Sequence, residues 1–183
     1  MKEIHHYDSP LGGITMVSDG EALTGLWFDG QKHAAVPPAA REGKDLPVFV
    51  QTDRWLDAYF AGAQPDFTPQ LHLRATVFRV SVWETLLTIP YGQTTTYGAV
   101  AAAVAARMGL PRMSAQAVGG AVGHNPIALI IPCHRVVGAD GSLTGYAGGI
   151  ERKRSLLMLE CQGIAQSFPD SSVFCGEKSR NLR

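Results

Sequence analysis

The order of apolar and polar residues divides the chain into a β-rich beginning and a helical remainder. The runs GGITMVS and EALTGLWF are rich in strand-forming residues, and Asp19-Gly20 between them is typical of a hairpin turn. Residues 31–47 contain Gly, Pro and Ala and predict a loop. The next run predicts a helix that ends at Gly62 and places four large residues on one face: Trp55, Leu56, Tyr59 and Phe60. This part of the pattern predicts a three-stranded antiparallel sheet with one helix.

From residue 76 onwards the apolar residues recur with a helical period. The run TVFRVSVWETLLTIP predicts a helix that stops at Pro90 and buries Phe78, Trp83, Leu86 and Leu87. Two shorter helices are predicted within TTTYGAVAAAVAARMG and SAQAVGGAVGHNP, and Ser114 is a good cap for the second. Together they form a helix-turn-helix candidate, although the turn MGLPRM is longer than the tight version. Such helix pairs are also abundant in proteins that never bind DNA.

The last periodic run, GIERKRSLLMLECQG, predicts a helix that Glu160 closes. Its leucines would face inwards, whereas Arg152, Lys153 and Arg154 would face outwards. Beyond it the sequence has no clear period, which is compatible with disorder. The pattern therefore predicts an α/β (α+β) chain with an N-terminal α/β domain (1–75), a C-terminal helical, winged-helix-like domain (76–162) and a tail (163–183).

The second helix of the pair has almost no large side chains. Small residues occupy five of its positions: Ala115, Ala117, Gly119, Gly120 and Ala121. A glycine inside a helix costs about 1 kcal/mol relative to alanine, so the Gly-Gly pair indicates that space is needed there. Two interpretations remain open, namely close packing against a neighbouring element or close approach to a flat partner such as a DNA groove.

The composition is that of an ordinary globular protein, with 45% hydrophobic and 17% charged residues. No apolar run approaches the roughly 20 residues needed to span a bilayer, and MKEIHHYDSP lacks the apolar core of a secretory signal. We therefore expect a soluble, intracellular protein. The net charge is zero, but residues 1–74 carry 6 Lys/Arg against 10 Asp/Glu and residues 75–183 carry 10 against 6. This asymmetry gives weak support to a polyanionic partner of the second half.

The stretch IPCHRVVG places Cys133 directly beside His134. A buried, inert cysteine is the default interpretation, but Arg135 and His134 supply positive potential that favours a thiolate. In an extended segment Cys133 and His134 would point to opposite faces, so the histidine would act through a water or a bend. The chain's three cysteines lie far apart and no C-x-x-C is present, which predicts no metal site.

IPCHRVVG, with AVGGAVGHNP before it and GSLTGYAGG after it, resembles the active-site region of the O6-alkylguanine-DNA alkyltransferases. The resemblance is strong over residues 76–162 and looser over DSPLGGITM and LDAYFAG. It implies irreversible transfer of an alkyl group from O6-alkylguanine in DNA, and from O4-alkylthymine, to Cys133. Each molecule would act once and would need no cofactor.

The resemblance also implies the other site residues. His134 would deprotonate Cys133 through a water, Glu160 would orient His134, Asn125 would support the turn, and Tyr97 would donate to the leaving guanine. The carbonyls of Cys133 and Val136 would read the exocyclic amine, and the Ala147 amide would hold O6. The remaining pocket positions are Tyr146, Gly148 and Val122, and the last two suggest room for groups larger than methyl.

Double-stranded DNA, bound through its minor groove by a monomer in the cytoplasm, is the partner that the resemblance implies. A eukaryotic host would place the protein in the nucleus instead. The positions expected to contact DNA are Arg112, Ser114, Gln116, Ala117, Gly120, Ala121 and Arg135. The family normally has an arginine where Gln116 stands, and glutamine lacks its charge and planar stacking. Arg112 lies one turn earlier and is a candidate substitute.

Three other interpretations remain at this stage. A non-enzymatic lesion binder would share the helix-turn-helix but would have another residue in place of Cys133. A winged-helix transcription regulator would not need Glu160, Tyr97 and Asn125 to match the site. A cysteine hydrolase would need an oxyanion hole and would release its product.

Overall fold

The computed structural model describes residues 2–43 and 45–167 and has the expected mixed α+β architecture, with a sheet first and helices after it. The strands are β1 (Glu3–Ser9), β2 (Gly12–Ser18), β3 (Leu23–Phe28), β4 (Arg41–Glu42), β5 (Thr95–Thr96) and β6 (Val136–Val137). The helices are α1 (Pro47–Phe60), α2 (Val77–Leu86), α3 (Tyr97–Arg107), α4 (Ala115–Gly123) and α5 (Ile150–Ser167).

The N-terminal sheet has the strand order β3-β2-β1-β4. Strands β1, β2 and β3 are antiparallel neighbours, as the sequence predicted. The fourth strand, β4, pairs in parallel with β1 and lies in the region predicted to be a loop. No local pattern predicts this strand, because two exposed charged residues have no apolar alternation.

Strand β3 is bridged along its free edge by the chain segment that leads to the site. Leu26 donates its amide to the Pro126 carbonyl at 2.9 Å and accepts at its own carbonyl from the Ala128 amide at 2.8 Å. Buried side chains from both halves of the chain form one cluster, which includes Phe28, Tyr59 and Ile127. The N-terminal sheet therefore supports the segment that precedes Cys133.

Three of the helices begin at hydroxyl caps. Thr76 accepts from Arg79, Thr96 from Ala99 and Ser114 from Ala117, in each case at the backbone amide. The prediction for α2 was partly wrong, because the helix ends at Leu86, leaving Leu87 39% exposed.

Helix α5 differs most from its prediction. It continues to Ser167, so Glu160 lies inside the helix instead of closing it, and residues 163–167 are helical. Lys153, predicted to face outwards, is 0% exposed. The rest of the predicted tail, 168–183, lies outside the described residues. None of the described helices is long and apolar enough to cross a membrane.

Candidate active site

Cys133 lies in a tight turn, not in the extended segment that the sequence predicted. Residues Cys133–Arg135 form one turn of 3-10 helix, and Val136 donates its amide back to the Cys133 carbonyl. Leu129, just before this turn, has a φ of 68°, a left-handed conformation that is uncommon for a residue other than glycine. Both side chains of this turn are buried: His134 is 0% exposed and Cys133 is 6% exposed.

Asn125 connects the end of α4 to this turn through one side-chain amide. Its Oδ1 accepts from the Ile127 amide at 3.0 Å, and its Nδ2 donates to the Ile131 carbonyl at 2.7 Å. The same Nδ2 donates to Cys133 Sγ at 3.0 Å. A single buried side chain therefore holds both the loop and the sulfur atom.

His134 is fully buried and contacts Glu160 of α5, with 2.7 Å between Nε2 and Oε1. Since a carboxylate accepts at Nε2, this nitrogen carries the proton and Nδ1 presents a lone pair. Nδ1 is buried and has no hydrogen-bond partner among the described residues. Burial lowers the pKa of His134, and Glu160 opposes this effect, so the imidazole is neutral and able to accept a proton.

Glu160 is held on several sides by residues from separate elements. Arg135 Nε lies 3.0 Å from Oε2 and its Nη2 lies 3.0 Å from Oε1, while Nη1 donates to the Ile89 carbonyl. Tyr59 of α1 donates to Oε1 at 2.8 Å, and the Gly92 amide donates to Oε2 at 2.9 Å. Burial alone would raise the pKa of Glu160, but His134 and Arg135 hold it well below its usual range.

These contacts correct the sequence-based assignment of Arg135 to the DNA surface. The side chain is largely buried, at 8% exposure, and its guanidinium is directed at Glu160 and a backbone carbonyl inside the protein. A guanidinium bound in this way is not free to contact a phosphate. Its role in the fold is to neutralise Glu160.

The surroundings of Cys133 have opposing effects on the pKa of its thiol. Burial raises the pKa of Cys133, whereas the Asn125 hydrogen bond and the charge of Lys153 lower it. The cation that favours the thiolate is therefore Lys153 of α5, not the neighbouring Arg135. Within residues 2–43 and 45–167, His, Cys, Asp and Glu side chains form no group of three or more that could hold a metal ion.

The segment 144–149 borders the same site. Tyr97 donates its hydroxyl to the Thr144 carbonyl at 3.0 Å, and burial raises its pKa, an effect that the nearby Cys133 reinforces. The Tyr146 hydroxyl is buried and unpaired within the described part of the chain. A Cβ on Gly148 would lie 2.7 Å from the Tyr146 ring, which explains the glycine.

Two of the other predicted pocket groups, the Val136 and Ala147 positions, have carbonyls that accept hydrogen bonds within the fold. The Val136 carbonyl accepts from Lys153 Nζ at 2.6 Å, and the Ala147 carbonyl accepts from the Lys32 amide at 3.2 Å. Val122 is buried in the core on α4.

Helix α4 presents a bare surface on one side. Five of the predicted contact positions are exposed: Arg112, Ser114, Gln116, Ala117 and Gly120. A Cβ on Gly120 would meet no atom within 4 Å, so packing inside the fold does not explain this glycine. Ala121 is a correction, because it is buried at 3% exposure and its carbonyl accepts from Trp83 Nε1.

Sequence reasoning missed Tyr59 and Lys153. Lys153 precedes Glu160 by seven residues, which is two helical turns, so the spacing alone places both on one face of α5. Tyr59 is 75 residues from His134 in the chain, and no local pattern connects them. Only the packing of α1 against α5 brings its hydroxyl to the site.

Family models match both halves of the chain. The model described as 6-O-methylguanine DNA methyltransferase, DNA binding domain, covers residues 77–162. The one described as 6-O-methylguanine DNA methyltransferase, ribonuclease-like domain, covers residues 4–73.

Curated proteins and solved structures are similar to this chain over most of its length. A Methylated-DNA--protein-cysteine methyltransferase of Mycobacterium bovis is 48% identical over 158 residues, or 85% of this chain and 92% of that protein. One from Methanosarcina acetivorans is 44% identical over 84% of this chain and 95% of that protein. A crystal structure of Mycobacterium tuberculosis OGT in complex with DNA superposes with a TM-score of 0.76 at 45% identity, covering 88% of this chain and 94% of that one.

Proposed function

The chain belongs to the 6-O-methylguanine DNA methyltransferase family, and on that premise we propose that Cys133 is the residue that accepts the alkyl group. The protein is a methylated-DNA–protein-cysteine methyltransferase that binds DNA and repairs it by alkyl transfer. The observation that supports Cys133 most strongly is its place in one buried turn with His134, whose Nε2 lies 2.7 Å from Glu160. This arrangement leaves the lone pair of Nδ1 as the proton acceptor.

The chemical step needs one proton transfer and one displacement. Cys133 loses its proton to His134 Nδ1 through a water, and Glu160 stabilises the imidazolium that forms. The sulfur then attacks the alkyl carbon, so that a carbon–sulfur bond forms while the bond from this carbon to O6 breaks. The electron pair of the broken bond remains on the guanine, which receives a proton from Tyr97. The proton held by His134 then returns through water to the Tyr97 oxygen, so that both side chains end neutral. The Tyr97 hydroxyl exchanges its Thr144 contact for the base during this step.

The product explains why each molecule acts once. A thioether is not hydrolysed by a nearby water, so Cys133 retains the alkyl group and the protein is consumed. O4-alkylthymine has the same kind of alkyl–oxygen bond and is proposed as a second substrate. Asn125 maintains the sulfur position by its 3.0 Å contact.

Recognition requires the damaged base to leave the duplex, because its alkyl carbon is stacked inside. We assign minor-groove contact to the exposed side of α4 (Ser114, Gln116, Ala117 and Gly120), with Arg112 beside it. The open space at Gly120 supports this, since a bare helix can approach the groove closely. Gln116 fills the gap in the duplex, and the protein acts as a monomer.

The broader organisation follows from the same premise. We assign residues 1–75 to an N-terminal domain and 76–162 to the DNA-binding and active-site domain, since Thr76 caps α2. The curated bacterial relatives belong to cells in which the chromosome lies in the cytoplasm. We therefore expect this protein in the cytoplasm, associated with the nucleoid when bound to DNA.

The test is to mix the protein with a duplex that contains one O6-methylguanine and to measure the intact mass, followed by peptide mapping. We expect one methyl group per protein molecule on the Cys133 peptide, plain guanine in the DNA, and no further methylation with excess substrate. Cys133→Ser is the control, which should bind the duplex as the wild type does and acquire no methyl group.

Two outcomes would contradict the proposal. An unchanged protein with an intact lesion would indicate a lesion binder. Repeated turnover with release of the methyl group would indicate a hydrolytic mechanism.

A further inference from the structure

Lys153 is a buried cation that the chemical step described above does not use. It is 0% exposed, and its Nζ donates to the Val136 carbonyl at 2.6 Å and to the Thr144 carbonyl at 2.7 Å. No carboxylate of the described chain forms an ion pair with it, although eight other Lys, Arg or His residues there do so, among them Arg135. A cation buried without an opposite charge is costly, so its retention calls for an explanation.

The position of Lys153 within α5 adds to this cost. Its amide donates to the Gly149 carbonyl, which places the residue in the first turn of the helix. The helix dipole disfavours positive charge at this end. Burial lowers the pKa of Lys153 to about 8, and the interaction with Cys133 raises it. The group that compensates the ammonium is therefore at the site itself.

The two carbonyls that Lys153 binds belong to the two chain segments around Cys133. Val136 directly follows the turn that holds Cys133, and Thr144 begins the segment 144–149. The Thr144 carbonyl also accepts from Tyr97. A single ammonium therefore ties the nucleophile's turn, the facing segment and α5 together.

We propose that Lys153 is a positioning residue that supplies the counter-charge of the Cys133 thiolate and fixes the Cys133 turn against the segment 144–149. The proton of Cys133 still goes to His134, and Lys153 keeps all its protons throughout the transfer. This inference rests on the proposed role of Cys133 as the nucleophile.

The other ionisable groups near the thiol do not supply this charge. Burial raises the pKa of Tyr97 and, more strongly, of Tyr146, so both remain neutral. His134 is neutral until it takes the Cys133 proton, and the imidazolium that then forms lies against Glu160 at 2.7 Å. Lys153 is the cation whose charge lowers the pKa of Cys133.

The test compares Lys153→Met and Lys153→Gln with the wild type from neutral pH to well above 8. The single-turnover rate of methyl transfer from an O6-methylguanine duplex is one measurement. The rate of Cys133 alkylation by iodoacetamide, followed by peptide mapping, is the other. Near neutral pH both variants should be at least about tenfold slower in both measurements, which corresponds to one unit of Cys133 pKa. The difference should shrink as the pH rises above about 8, because the wild-type Lys153 then loses its own charge.

The pH dependence separates this role from a purely structural one. A loss of the same size at every pH, or no loss, would overturn the proposal. Lys153→Gln keeps an uncharged amide nitrogen that can donate to the two carbonyls, and it is the variant to use if circular dichroism shows that Lys153→Met does not fold. Lys2→Met is the matched control, since it removes a positive charge outside the site and should leave both rates unchanged.

The two measurements also distinguish this inference from the proposed function. If iodoacetamide shows the pH-dependent difference at Cys133 but no methyl group is transferred from DNA, the proposed function fails and the thiolate–lysine pairing stands. If methyl transfer occurs at Cys133 and neither rate depends on Lys153, the reverse holds.

Discussion

Glu160 shows at the scale of a single residue how a carboxylate can be isolated from solvent and still remain charged. Its two oxygens receive hydrogen bonds from His134, Arg135, Tyr59 and the Gly92 amide. The arginine provides a full compensating charge at 3.0 Å. The carboxylate can therefore stabilise an imidazolium during the reaction without taking up a proton itself.

Replacing Glu160 by Gln tests this balance through stability. We expect the free energy of unfolding to fall by about 3–5 kcal/mol, because Arg135 would be left buried without its counter-charge. The pKa of Glu160 is lower in the folded than in the unfolded protein, so its stabilising contribution is present above about 4.5 and is lost as the pH falls. Urea titrations at several pH values should show a steep acid loss in the wild type and a shallower one in Glu160→Gln. If the free energy of unfolding fell equally steeply with falling pH in both proteins, the assignment of a charged, stabilising Glu160 would be contradicted.

Helix α4 shows at the scale of an element how a glycine that weakens a helix can be retained. The fold leaves open space at Gly120, while the opposite side packs through Val118 and Ala121. Removing the glycine should therefore improve the helix and harm only what approaches it from outside.

Gly120→Ala and Gly120→Phe separate these two effects. The alanine variant should be more stable by about 1 kcal/mol in a urea titration, because alanine has the higher helix propensity. The phenylalanine variant should fold normally but should bind duplex DNA at least about tenfold more weakly, since its ring would occupy the space for the groove. Gln51→Phe, at an exposed position of α1, is the control and should bind DNA as the wild type does. If Gly120→Phe bound DNA with normal affinity, the proposal that α4 contacts the groove would be contradicted.

The same helix carries Gln116, at the position where the sequence resemblance led us to expect an arginine. Gln116→Arg should increase the rate of repair in duplex DNA by several-fold, because a guanidinium fills the gap left by an extruded base more effectively. Repair of the free base O6-methylguanine, which needs no extrusion, should change much less. Gln51→Arg is the matched control, because it adds the same charge at an exposed position of α1 and should leave both rates unchanged. Equal acceleration of both substrates by Gln116→Arg would contradict a role in extrusion.

At the scale of the whole molecule, the buried phenol of Tyr59 connects the N-terminal half to the site. Tyr59 lies on α1, packs against Trp55 at a centroid distance of 5.2 Å, and donates to Glu160. Its hydroxyl is also 3.3 Å from His134 Nε2. The N-terminal half therefore contributes directly to the position of the His134–Glu160 pair.

Tyr59→Phe should lower stability by about 1.5–3 kcal/mol, the range for a hydrogen bond to a charged group. The rate of methyl transfer should fall several-fold, while DNA affinity should not change, because α4 is untouched. Tyr7→Phe removes a similar phenol–carboxylate bond, to Asp57, that is exposed to solvent. This control should lower the free energy of unfolding by less than about 1 kcal/mol and leave the rate of methyl transfer unchanged. A normal rate in Tyr59→Phe would show that Arg135 and Gly92 position Glu160 without it.

Local pattern was sufficient for much of the fold. The β-rich runs and the turn at Asp19-Gly20 predicted the β2–β3 hairpin, and Ser114 marked the start of α4. These features depend on residues within a few positions of one another, which is why the sequence predicts them. The IPCHRVVG motif likewise marked the neighbourhood of the thiol by resemblance.

The environment of each site residue depended on contacts that no local pattern contains. The sequence placed Arg135 towards DNA and Lys153 towards solvent, but the fold directs Arg135 to Glu160 and buries Lys153 against two carbonyls. Tyr59 comes from a helix that the motif does not include. The sequence by itself determined most of the elements and marked Cys133 as the candidate nucleophile. Tertiary structure decided which charges surround this thiol, because burial and long-range packing set the cost and the partner of every ionised group.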